Sequence, residues 1–333
     1  MKSRFFYLIV VLAITACGGN SRQESRDVQV SEDKESNTTP IISVTSLKPP
    51  TPEECLRITS NDLTEVELDL STNKRQLVND TIKTTDPESS YQLFLRNSEN
   101  LMAWLEVKEQ PIDVAIHESN HYINYQIDFC EEYDSKAIFS GGQFHELGFS
   151  KENTEHNIII AETIPEHLQT GLAYELYILQ LNHKFDSLLD EFNAYVLDNR
   201  FQLKFKQLAL PENDISKMTI FQVNDTINFM VFTQYYLKSL RLNYPETYEL
   251  VDQPQARAFL QYLWQITEEL LIEAYPYIST GYLESMLFYD EGTGIEFLKA
   301  AYTGDALMEL DLLGINHLEE SDWQQTYFEV NKN

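Results

Sequence analysis

No block of lysine and arginine occurs in this chain: 24 basic residues are scattered among 53 acidic ones, for a formal net charge of −29 over 333 residues. A phosphate backbone would be repelled and would find no cationic cluster to release its counterions, so nucleic acid is excluded as a partner. Close contact of the folded surface with anionic lipid headgroups is disfavoured for the same reason. No G-x-S-x-G elbow and no glycine-rich phosphate loop is present, which removes the usual serine-hydrolase and nucleotide-binding arrangements. The lone Gly141-Gly142 pair reads as a turn. Internal repeats are missing, so a repeat array is excluded. The N-terminal apolar run from Phe5 to Ile14 is too short to span a bilayer as a mature helix. Cysteines number three, Cys17, Cys55 and Cys130, and their positions divide the chain.

Lys2 and Arg4 precede that apolar run and small residues follow it, the layout of a secretory signal. The segment Ile14-Thr15-Ala16-Cys17 resembles the lipobox of bacterial lipoproteins. The resemblance implies cleavage before Cys17, lipid on its thiol and amine, and a domain tethered in the cell envelope, on the outer side of the cytoplasmic membrane or in the outer membrane. Gly18 after the cysteine is similar to lipoproteins that move on to an outer membrane. Loss of Lys2 and Arg4 with the signal takes the charge from −29 to −31, a solubilising surface rather than a site for cations. Cys55 and Cys130 then remain as an even pair outside the cytosol, able to form a disulfide or to stay as two buried thiols.

The chain divides into residues 1–16 as signal, 17–52 as lipidated cysteine and flexible spacer, and 53–333 as a mainly helical region of one domain or two lobes. Alternation at Glu65–Leu70 predicts a strand, and Ser89–Val107 predicts one or two helical segments. Pro111 suits the first turn of a helix running to about Phe129. A hairpin is expected at Ile138–Phe144 and a short strand at Asn157–Ala161. Helical pattern resumes near Leu168 and continues, with a break, through Val196. Further helices are expected at Thr219–Leu242, Gln255–Ala274 and Ile295–Leu313, separated by Pro245, Pro254, Pro276 and a Gly292–Gly294 turn. The fold class is therefore mainly α with a small β element (α+β).

The chemistry lies in Ile112-Asp113-Val114-Ala115-Ile116-His117-Glu118-Ser119-Asn120-His121. At about 100° per residue, His117 and His121 lie about 40° apart on one helical face, so both imidazoles can reach one ion. Glu118 is one step round, placed to touch a water on that ion. Ile112, Ala115, Ile116, Ser119 and Ile123 fall on the opposite face, which suits a core. This HExxH pattern resembles the zinc metallopeptidases called zincins, and about 0.015 such matches are expected by chance in a chain of this composition. The resemblance implies a zincin-like helical core, Zn²⁺ held by His117 and His121, and Glu118 as the general base that accepts a proton from the attacking water and returns it to the leaving amine. Peptides or proteins are the implied substrates.

Three protein ligands are expected at a catalytic zinc. In the metzincin extension Asn124 stands where glycine belongs and Ile127 where the third ligand belongs, which argues against that subgroup. The segment LLDEFNAYVLD supplies Glu191 followed by Asn193, Ala194 and Tyr195, an E-x-x-A-Y arrangement similar to the second motif of many gluzincin-like sequences. Ser187, Glu191, Ala194 and Asp198 share one side of that helix, and Phe185, Leu189, Phe192 and Val196 form the core stripe. Asp198 or Ser187 is placed to bond a metal-bound imidazole. Glu162, Glu166, His167, Glu175 and His145 compete as third ligand, and Tyr195 is the candidate oxyanion donor. Ile138–Phe144 or Asn157–Ala161 is expected to line the cleft, whereas the aromatic runs Phe229–Tyr236 and Tyr244–Tyr248 read as core. The alternative reading is a binding or assembly lipoprotein on the same scaffold without hydrolytic activity.

Overall fold

Cys55 and residues 112–130, 135–150, 160–180, 184–207, 223–278 and 293–323 are described by a computed structural model. The expected signal and spacer, the strand expected at Glu65–Leu70, the helical segments expected at Ser89–Val107, and Pro111 lie outside these residues. Two elements carry the site: helix α1 (Ile112–Ile127) packs along helix α2 (Phe185–Gln207), and both meet a hairpin strand, β1 (Ser135–Ser140). The partner strand β2 (Gln143–Ser150) pairs antiparallel with β1 in the register Phe139↔Phe144 and Ser140↔Gln143. Gly141 and Gly142 join the strands at φ 58° and 79°. Positive φ at both central residues gives a two-residue turn whose twist matches the strands. The tip lies against Tyr262, so close that a Cβ on Gly141 would fall 2.2 Å from the phenolic oxygen.

The core is centred on α3 (Asn224–Asn243), which packs against α2 and α4 (Pro245–Val251) and against α6 (Thr293–Ala301) and α7 (Gly304–Leu313). Phe229, Met230, Val231, Phe232, Thr233 and Gln234 are buried in succession, as in a helix covered on every side. Its polar members need partners, and Gln234 Nε2 donates to the Ala301 carbonyl at 2.8 Å. Arg241 makes two hydrogen bonds, of 2.9 and 2.6 Å, to the fully buried Glu309 of α7. The stripe Phe185, Leu189, Phe192 and Val196 faces this core and is buried. Each such side chain removed from water contributes about 1.5–3 kcal/mol, which fixes the rotation of α2 and hence the direction in which its opposite side points. Helix α5 (Pro254–Ile278) covers β2 and α2, and α8 (Glu320–Trp323) seats the buried Trp323. Among the described residues no helix is long and apolar enough to cross a membrane.

Several boundaries differ from the sequence expectation. Of the strand expected at Asn157–Ala161, residues 157–159 lie outside the described residues, and Ile160 and Ala161 enter a turn in which Thr163 N–H donates to Ile160 O at 2.8 Å. The pattern from Leu168 is not one α-helix: a 3₁₀ turn, Glu166–Leu168, and a short Gly171–Ala173 turn lead into the π-helical Tyr174–Gln180. A π-helix also buries one face, so hydrophobic spacing does not separate it from an α-helix over seven residues. The expected Ile295–Leu313 helix is two helices, because Thr303 is extended and Gly304 takes φ 59°. Thr293 and Gly294 lie in the first turn of α6 rather than in a separating turn. Helix α5 runs on through Pro276 and ends two residues later at Ile278.

Candidate metal centre

His117 and His121 project from α1 toward α2, and the face behind them is anchored by Ile116, Ser119 and Ile123, each 0 % exposed. Glu191 comes from the side of α2 opposite its core stripe. The three side chains are buried and converge: His117 Nε2 and His121 Nε2 lie 3.0 Å apart, and each is 3.3 Å from Glu191 Oε2. They are the group that can hold a metal ion among the described residues. The competitors do not join them. Glu162, Glu166, His167 and Glu175 are exposed, and His145 bonds the Ser140 carbonyl at 3.2 Å and stacks on Tyr262.

The far nitrogens of both imidazoles are held by carboxylates. His117 Nδ1 donates to Asp198 Oδ2 at 3.1 Å, and His121 Nδ1 donates to Asp190 Oδ2 at 3.0 Å. This arrangement leaves each Nε2 lone pair for a cation and fixes the tautomer. Asp198 was one of two candidates on the helix face. Asp190, which lies off that face, holds the second histidine. The only local signal for Asp190 was a carboxylate directly before Glu191.

Burial alone would lower the His117 imidazole, but the Asp198 and Glu191 carboxylates more than reverse this and raise it to about 9. His121 is likewise pulled down by burial and then raised well above its ordinary value by Glu191 and Asp190. Glu191 responds in the other direction: burial pushes it up, yet the two imidazoles hold it well below the ordinary carboxylate range. Asp198 is pushed up to about 6 by burial, against the pull of His117. The neighbouring carboxylates thus favour protonated imidazoles, and a metal ion taken up here would have to displace those protons. Glu118 keeps partial exposure beside the ligands, and burial raises its carboxyl in spite of both histidines.

Behind the ligands lies an asparagine clamp. Asn120 Nδ2 and Asn193 Nδ2 donate to the Phe139 carbonyl at 3.0 and 2.9 Å, and the Phe139 N–H donates to Asn124 Oδ1 at 2.7 Å. Asn120 Oδ1 accepts from Asn124 and Asn193 at 3.1 and 3.0 Å. Asn124 Nδ2 also donates to Asp190 Oδ1. All three asparagines are at most 1 % exposed. Ile127, in the metzincin ligand position, is fully buried.

Tyr195 packs its ring edge-on to His117 at 4.5 Å between centroids, and its hydroxyl lies 2.6 Å from that of Tyr177 on the π-helical segment. It thus forms a wall on the His117 side. Beyond the end of α1, Cys130 is disulfide-bonded to Cys55, and both are buried. In comparisons with known proteins, no family model, no characterised sequence and no solved structure matches the chain.

Proposed function

We propose that the chain is a zinc-dependent metallopeptidase of zincin-like, gluzincin-type layout, tethered in the cell envelope through lipid on Cys17, with peptides or proteins as substrates. The convergence of two histidine Nε2 atoms and one glutamate oxygen, at separations of 3.0, 3.3 and 3.3 Å, carries this reading. Tetrahedral zinc with ligands at about 2.0–2.1 Å places them about 3.3 Å apart, so the residues fit the ion as they stand. Two imidazoles and one carboxylate also favour zinc over calcium or magnesium, which take oxygen ligands. The motif helix and a second, glutamate-bearing helix packed against it support the gluzincin layout.

When bound, zinc supplies Lewis acidity, lowering the pKa of a water and polarising a peptide carbonyl. The remaining work falls to side chains of this protein. Asp198 and Asp190 hold the two rings in register, so that no reorientation is needed when charge develops. Glu118 accepts a proton from the attacking water and delivers it to the leaving amine.

The test uses soluble protein starting at Gly18, with His117→Ala and Glu118→Gln variants, assayed for bound zinc and for cleavage of a mixture of quenched-fluorescence peptides. One zinc per chain, lost in His117→Ala, with turnover lost but zinc kept in Glu118→Gln, is expected. Wild-type protein that stays metal-free after zinc addition overturns the reading. Zinc binding with no difference between wild type and Glu118→Gln replaces it with a non-catalytic binding lipoprotein.

A further inference from the structure

Asn124 sits between the hairpin and a histidine ligand, and each of its polar atoms is committed. Its carbonyl oxygen accepts the Phe139 N–H at 2.7 Å, and its amide nitrogen donates to Asn120 at 3.1 Å and to Asp190 Oδ1. Asp190 uses its other oxygen for His121 Nδ1, at 3.0 Å. A carboxylate bonded only to the imidazole could rotate about its side-chain torsions. A second, partly buried hydrogen bond to the other oxygen fixes its plane, and with it the plane of the ring it holds. We infer that Asn124 is a positioning residue of the metal centre, setting the His121 ring through Asp190 and coupling that ring to strand β1. The inference rests on the metal reading above.

Asn193 supplies an internal comparison. It is equally buried and bonds Asn120 and the Phe139 carbonyl at 3.0 and 2.9 Å, but none of its hydrogen bonds reaches Asp190. The changes Asn124→Asp and Asn193→Asp each add one negative charge and each remove the donors aimed at Asn120. Only the first sets an oxygen against Asp190. A purely structural clamp would respond alike to both.

Zinc dissociation constants are to be measured by chelator competition on soluble protein starting at Gly18, together with ¹⁵N shifts of the His121 ring in metal-free protein. The folded fraction of each variant is followed by circular dichroism. Asn124→Asp is expected to weaken zinc binding about 10–100-fold, the range found when a group supporting a ligand is removed. Asn193→Asp, which leaves the hydrogen bonds of Asp190 in place, is expected to lose clearly less zinc affinity than Asn124→Asp. The nitrogen shifts are expected to report loss of the Nδ1 hydrogen bond in Asn124→Asp alone. Asn124→Ala, which removes the amide without adding charge, replaces the aspartate variant if that fails to fold. Equal zinc affinities in the two variants, or unchanged His121 shifts in Asn124→Asp, overturn the inference. Wild-type protein without zinc affinity sinks the metal reading itself, while the metal-free shifts still judge the Asn124–Asp190–His121 chain.

Discussion

Replacing Cys55 and Cys130 together by serine opens a loop that contains all of α1, and with it two of the three candidate metal ligands. The bridged residues are 75 apart in sequence. Loop-closure entropy for that separation corresponds to about 4.5 kcal/mol at 25 °C, and measured bridges cluster at about 2–4 kcal/mol because unfolded chains retain structure. For domains of about 150–250 residues, 1 kcal/mol corresponds to about 2–4 °C, so a fall in Tm of about 4–16 °C is expected. The assay is thermal unfolding of the double variant and the wild type, each with and without added zinc. A bridge that acts on the unfolded chain leaves the native metal site alone, so zinc should raise Tm in both proteins, by amounts that reflect one shared dissociation constant. Coincident unfolding curves without zinc would refute the entropy argument. A variant that is folded yet no longer responds to zinc would show that the bridge holds the native site together.

His145 is half-buried against Tyr262, and this burial lowers its pKa from 6.5 although the bond to Ser140 works the other way. The unfolded chain therefore takes up the proton first, so the stabilisation is complete above pH 6.5 and is lost as pH falls below it. Denaturant titrations should give His145→Gln a flatter stability profile below pH 6.5 than wild type; identical slopes would contradict this. Arg241→Met leaves the buried Glu309 carboxylate without its bidentate partner and is expected to cost about 3–5 kcal/mol, most of it recovered in Arg241→Met/Glu309→Met. A single-variant loss below about 1 kcal/mol would mean the pair behaves as a surface ion pair.

The local half of the site was legible in the sequence, and the long-range half only in part. His117 and His121 are four residues apart on a helix, and helical geometry makes them neighbours whatever the rest of the chain does. Glu191 is nominated by the resemblance of its E-x-x-A-Y segment to the second gluzincin motif, and the stripe Phe185, Leu189, Phe192 and Val196 adds that it lies on the side of its helix facing away from the core. Nothing local said that this side meets α1. Asp190 lies off the face grouped with Glu191, so the helical wheel that nominated Asp198 passed over it. Its role depends on how the two helices pack, which spacing within one helix does not encode. Asn124 was read for what it fails to be in one peptidase subgroup, and its place in the clamp depends on a strand that follows α1. The split of Ile295–Leu313 turned on Thr303 and Gly304, where a single backbone torsion outweighs an unbroken apolar pattern.

The peptide group of Phe139 has both its N–H and its carbonyl engaged by side chains of α1 and α2. A sheet margin normally invites another extended chain to add to it, and here that invitation is withdrawn at the strand nearest the ligands. On the proposed peptidase reading, a substrate chain cannot pair with the Phe139 peptide group and is held through its side chains or at another margin.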